Sequence, residues 1–115
     1  MDERFLYGDI TDKIIGSAYK VYNTLGTGFL EKVYENALKH ELEKNGLKVM
    51  QQYPIKVYYE EKVVGEYFAD LLVEDKVIVE LKVASAINTI HEVQIINYLK
   101  ATKIINNLYL VYRIN

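Results

Sequence analysis

Asp70, Glu80 and Lys82 stand in the stretch Tyr67-Phe-Ala-Asp-Leu-Leu-Val-Glu-Asp-Lys-Val-Ile-Val-Glu-Leu-Lys82, where they interrupt runs of apolar residues. A charge inside a buried strand is costly unless it is paired or binds a metal. The stretch predicts two antiparallel strands joined by a short polar turn. With the turn centred on Asp75, Asp70 lies opposite Glu80, Leu72 opposite Ile78 and Leu71 opposite Val79. Lys82 follows Glu80 by two residues and projects from the same face. A register slip of one residue would separate the carboxylates, so this arrangement requires an odd-length turn, Glu74 to Lys76. Two converging carboxylates suit a hard divalent cation, Mg²⁺ or Mn²⁺. Such an ion lowers the pKa of a bound water and neutralises charge on a phosphoryl oxygen. Lys82 can position that water or stabilise the developing negative charge. The plainer alternative is a buried ion pair between Lys82 and one acid, which leaves the second acid unpaired.

Further polar residues fall on helical spacing. Glu31 and Glu35 lie one turn apart, and Tyr34 shares part of their surface. An acid such as Glu31 in a first helical turn is also favoured by the helix dipole alone. His91, Gln94 and Tyr98 share one face of a later helix, which by itself could be an ordinary half-polar surface.

These residues need elements to carry them. Ile10 to Leu25 has helical periodicity, with Ile14, Ile15, Ala18, Val21, Tyr22 and Leu25 on its apolar side and Thr11 or Asp12 as a cap. Gly26-Thr-Gly28 breaks it. A second helix runs from about Leu30 to Asn45, with a stripe of Leu30, Val33, Tyr34, Ala37, Leu38 and Leu42, and Gly46 ends it. Extended segments follow: Val49 to Gln52 leading through Pro54 into Ile55 to Tyr59, then Val63 to Val73 and Val77 to Val83. A third helix spans about Thr89 to Thr102, and Leu108 to Ile114 forms a last strand. That order predicts an α/β fold with a central mixed β-sheet flanked by α-helices. Reached through a helical crossover, the last strand should run parallel to a hairpin strand.

The 115 residues, half of them hydrophobic, suit one compact domain. With no cysteine, disulfides and thiolate metal sites are excluded. A zinc site would have to use His40, His91 and carboxylates, a weak donor set. No apolar run approaches the roughly 20 residues that span a bilayer, and Met-Asp-Glu-Arg does not start a signal peptide; a cytoplasmic protein is the expectation. The net charge of −2 argues against an abundant non-specific DNA-coating protein but not against a nuclease, whose site acids count as negative until an ion binds. The 11 tyrosines include Tyr53, Tyr58, Tyr59, Tyr109 and Tyr112, which could stack on bases or pack at an interface. Strand propensity alone accounts for most of them.

Taken together, the motifs resemble a known family. The D…ExK hairpin resembles the active-site signature of the PD-(D/E)xK nuclease superfamily, and Gly28-x-x-Glu31-x-x-Tyr34 resembles the name-giving motif of its GxxExxY branch. GFLEKVYENAL, FADLLVEDKVIVELK and HEVQIINYLKAT fit that family in order and spacing, over roughly residues 10 to 103. The resemblance implies a single nuclease-like domain over residues 1–115 with a restriction-endonuclease-like core. It implies Asp70 and Glu80 as metal ligands, Glu31 as an acid donated by the helix, the Leu81 backbone carbonyl as a further ligand, and Lys82 as the catalytic lysine. Gln94 and Tyr98 would form the QxxxY signature beside the metal and the substrate phosphate. The implied activity is Mg²⁺- or Mn²⁺-dependent hydrolysis of nucleic acid, DNA before RNA. The chain departs from the family at Ile104-Ile-Asn-Asn-Leu-Tyr-Leu-Val-Tyr-Arg-Ile-Asn115, where members read like Gly-Leu-Leu-x-Asn-Phe. The competing expectation is a catalytically weak or inactive interaction module that keeps the fold and acts with a partner protein. A homo-oligomer through the Tyr-rich last strand is compatible with either.

Overall fold

A computed structural model describes residues 8–83 in full and the backbone of residues 106–112. The order is α1 (Gly8–Leu25), α2 (Glu31–Lys44), β1 (Val49–Tyr59), β2 (Lys62–Val73), β3 (Val77–Val83) and β4 (Asn106–Tyr112). The helix expected over Thr89 to Thr102, with His91, Gln94 and Tyr98, lies outside the described residues.

The strands form one mixed sheet in the order β1-β2-β3-β4. β1 and β2 pair antiparallel, β2 and β3 pair antiparallel, and β4 runs parallel to β3. The parallel pairing is the one expected for a strand reached by a crossover. It forms despite the departure of the C-terminal sequence, with Glu80 aligned to Tyr109 and Lys82 to Val111.

The hairpin register follows the sequence. Val73 pairs with Val77, Leu72 with Ile78 and Leu71 with Val79, leaving the three-residue turn Glu74 to Lys76. Glu74 and Asp75 both have left-handed backbones (φ 55° and 56°), and the Lys76 N–H donates to the Val73 carbonyl at 3.0 Å. Lys48 braces the turn: its N–H donates to Glu74 at 2.7 Å and its ammonium meets Asp75 at 3.0 Å.

Alternation along β2 and β3 decides where the helices sit. Leu71, Val73, Val77, Val79 and Leu81 pack with Ile10, Ile14, Ala18 and Val21 of α1 and with Tyr34, Leu38 and Leu42 of α2. Leu72 and Ile78 instead join Ile55 and Ala69 in a second cluster. Each fully buried Leu or Ile here contributes roughly 1.5–3 kcal/mol of transfer free energy.

Helix packing differs from the expected stripes in detail. Leu30 is 80% exposed because α2 begins one residue later, and Val33 and Ile15 are exposed on their helices. Ile10 takes a core place on α1, and the Thr11 hydroxyl donates to the Gly8 carbonyl within the first turn instead of capping the helix. Two glutamates, Glu35 and Glu41, are buried on α2. Glu41 meets Lys20 of α1 at 2.8 Å and Lys44 at 3.4 Å, which satisfies it at the α1–α2 seam.

The outer halves of β1 and β2 continue past β3 as a two-stranded arm, since β2 pairs with β3 only over Leu71 to Val73. Its tip turns at Glu60 and Glu61, both left-handed, and it exposes Tyr58, Tyr59, Val63, Val64 and Phe68. Among the described residues no helix is long and apolar enough to cross a membrane.

Candidate active site

Gly28, Glu31 and Tyr34 each have a distinct structural job. Gly28 has φ +101°, a backbone that L side chains rarely adopt, so glycine is needed to turn the chain into α2. Tyr34 is 1% exposed and its hydroxyl donates to the Gly26 carbonyl at 2.5 Å, tying α2 to the preceding loop. Glu31 is the first residue of α2, and its carboxylate accepts from the Val83 N–H at 3.3 Å, beside the end of β3.

Asp70 and Glu80 come together across β2 and β3. Extending the hairpin register by one step places them opposite each other, although the ladder itself stops at Leu71 and Val79. In place of a regular rung, the Asp70 carboxylate accepts from the Leu81 N–H at 2.8 Å. Burial raises the pKa of Asp70, and the nearby Glu35 and Glu31 charges add to this. The Leu81 N–H and the Gln52 amide act in the opposite direction. Glu80 is pushed up to about 9, first by burial and then by the Asp70 charge. Among the described residues, its buried Oε1 has no hydrogen-bond partner.

Lys82 is half-buried and forms no ion pair with a carboxylate of the described residues. The ion pair weighed from the sequence as the plainer account of this cluster is therefore not formed among them. Leu81 is buried between the two charged positions of β3, with its N–H engaged by Asp70. Gln94 and Tyr98 fall outside the described residues.

Helical spacing marks Glu35 only as a neighbour of Glu31, and strand pattern does not single out Gln51 or Gln52. Glu35 is 3% exposed. Its carboxylate receives Gln51 Nε2 at 2.5 Å, Gln52 Nε2 at 3.2 Å and Lys32 Nζ at 2.8 Å. The Gln52 amide also lies 3.2 Å from Asp70 Oδ1, linking the helix acid to the strand acid. The available signal was two adjacent amides in a strand otherwise rich in apolar and aromatic residues.

The donor set fits a small, hard cation. Burial raises both carboxyls and the Asp70 charge raises Glu80 further, while among the described residues the buried Glu80 Oε1 has no partner; positive charge beside them would stabilise both ionised forms. Among the described residues, no three His, Cys, Asp or Glu side chains are gathered so as to hold one ion. Mg²⁺ does not need such a cage, because it is commonly held by one or two carboxylates, with water and substrate phosphate completing the octahedron.

Comparison with known proteins bears on the whole arrangement. No curated protein and no solved structure shows significant similarity to the chain. One family model matches residues 8–113, nearly the full length, and it describes the PD-(D/E)XK nuclease superfamily. With that match spanning both described helices and all four described strands, the chain belongs to the PD-(D/E)XK nuclease superfamily.

Proposed function

We propose that the protein is a Mg²⁺- or Mn²⁺-dependent nuclease that hydrolyses phosphodiester bonds, with DNA as substrate, of the GxxExxY branch and the QxxxY exonuclease type. The observation that carries this reading is the half-buried pair Asp70–Glu80, with a buried carboxylate oxygen on Glu80 that has no partner among the described residues. Asp70 and Glu80 would hold the ion, with the Leu81 carbonyl as a further ligand and Glu31 contributing from the start of α2. When bound, the ion supplies charge neutralisation at a phosphoryl oxygen and activation of water. Lys82 stabilises negative charge as it develops on the phosphoryl group. Gln94 and Tyr98 are assigned to the substrate phosphate on the strength of the motif alone.

The test is cleavage of single- and double-stranded DNA with Mg²⁺ or Mn²⁺, comparing wild type with Asp70→Ala and Lys82→Ala. The proposal expects each substitution to reduce the rate by at least about a hundredfold. Cleavage that continues in both variants rejects it.

The exposed arm of Tyr58, Tyr59, Val63 and Val64 favours a second role as a surface for a partner protein or another copy of the chain. Failure to cleave, no thermal response to Mn²⁺ and a partner that copurifies would together favour the non-catalytic alternative. Light scattering reports the oligomeric state.

A further inference from the structure

Gln52 breaks two rules of a β-strand at once. Its φ is +52°, a left-handed value that a non-glycine residue in a strand does not normally take. It is also missing from the β1–β2 ladder, although Gln51 pairs with Leu71 and Tyr53 with Ala69 on either side. That register places Gln52 opposite Asp70, and the β2–β3 register places Asp70 opposite Glu80. Gln52, Asp70 and Glu80 thus form one row across three strands, and regular pairing is interrupted along it.

The deviation has a geometric consequence. Consecutive strand residues point to opposite faces, yet Gln51 and Gln52 both deliver Nε2 to the Glu35 carboxylate. The left-handed turn at Gln52 is what brings the second amide to the helix side. From there the same Nε2 reaches Asp70 Oδ1 at 3.2 Å, while the other Asp70 oxygen accepts from the Leu81 N–H. Left-handed backbone at a non-glycine residue is strained and persists where the surroundings enforce it.

We propose that Gln52 is a positioning residue, which clamps the Asp70 carboxylate between its own side-chain amide and the Leu81 N–H and so fixes the oxygen that faces Glu80. It touches no reacting atom. The inference rests on the reading of Asp70 and Glu80 as the cation site, and it concerns the orientation of Asp70 and not its identity. An amide suits this position, because it donates to Asp70 and Glu35 without adding charge to a cluster that is already acidic.

Two substitutions remove the clamp while respecting the backbone. Gln52→Gly accepts the left-handed φ without strain. Gln52→Asn also tolerates it, but its amide is one methylene short. Gln51→Ala is the control, since Gln51 contacts Glu35 and Asn36 but not Asp70. The first readout is metal-free: amide hydrogen exchange at Leu81, measured by NMR. Both Gln52 variants should speed exchange at Leu81 by about tenfold, leaving Val73 and Val79 at wild-type rates. The second readout is Mn²⁺ affinity by calorimetry, which should weaken by about tenfold in both Gln52 variants and remain near wild type in Gln51→Ala.

Unchanged exchange at Leu81 in both Gln52 variants overturns the proposal. So does a common acceleration of Leu81, Val73 and Val79, which marks a general loss of stability. Equal effects from Gln51→Ala overturn it too, because the action would then run through Glu35. Absence of Mn²⁺ binding in the wild type would count against the cation site itself, while the metal-free exchange result still decides the role of Gln52.

Discussion

Burial and the neighbouring Asp70 charge push Glu80 up to about 9, so without a cation it carries a proton at pH 7. A carboxyl whose pKa is higher folded than unfolded binds its proton more tightly in the native state. Its stabilising contribution is therefore complete below about pH 4.5 and is lost as pH rises towards about 9. Asp70 is displaced in the same direction. Thermal melts in EDTA should show stability falling across that window, with a slope of at most about 1.4 kcal/mol per pH unit for one group. Glu80→Gln should flatten the slope and raise the melting temperature at pH 8. A cation must displace the Glu80 proton, so Mn²⁺ affinity should rise with pH over the same range, as calorimetry can check. At this scale the acids were legible, because a charge in an apolar strand demands an explanation. Gln52 was not, because an amide in a strand is unremarkable until a left-handed backbone turns it towards an acid from another element.

At the scale of elements, the join between α1 and α2 controls where Glu31 stands. Gly28→Ala meets no neighbour within 4 Å, so its cost is conformational, from a φ of +101°. A loss of about 1–3 kcal/mol in urea unfolding is expected. Tyr34→Phe removes the hydroxyl that holds Gly26 and should cost about 1 kcal/mol. Leu38→Ala, at a fully buried position, should cost about 2–5 kcal/mol. The hairpin was readable almost to the residue because its period of two and its odd turn leave one register that keeps the apolar face inward. The stripe on α2 was less so. Helical spacing cannot tell that Leu30 precedes the first turn, or that Glu35 and Glu41 are buried, since their partners Gln51, Gln52 and Lys20 come from other elements.

Across the whole molecule, the sheet gathers acids from distant parts of the chain: Glu31 and Glu35 from α2, Asp70 from β2 and Glu80 from β3. Assembling like charges opposes folding unless a cation offsets it, so metal should stabilise the fold as well as complete the site. Mn²⁺ at about a hundred times its dissociation constant should add about 2.7 kcal/mol to the wild type and nothing to Asp70→Ala, read as a thermal shift. Residue order revealed the fold class and the hairpin, whereas the protruding arm depends on how far each strand finds a partner, which composition does not encode. The most direct test of the account is a crystal soaked in Mn²⁺ and measured for anomalous scattering. The account predicts a peak between the Asp70 and Glu80 carboxylates, at about 2.0–2.3 Å from an oxygen of each. A fully soaked crystal with no peak there, or with manganese bound only elsewhere, would contradict it.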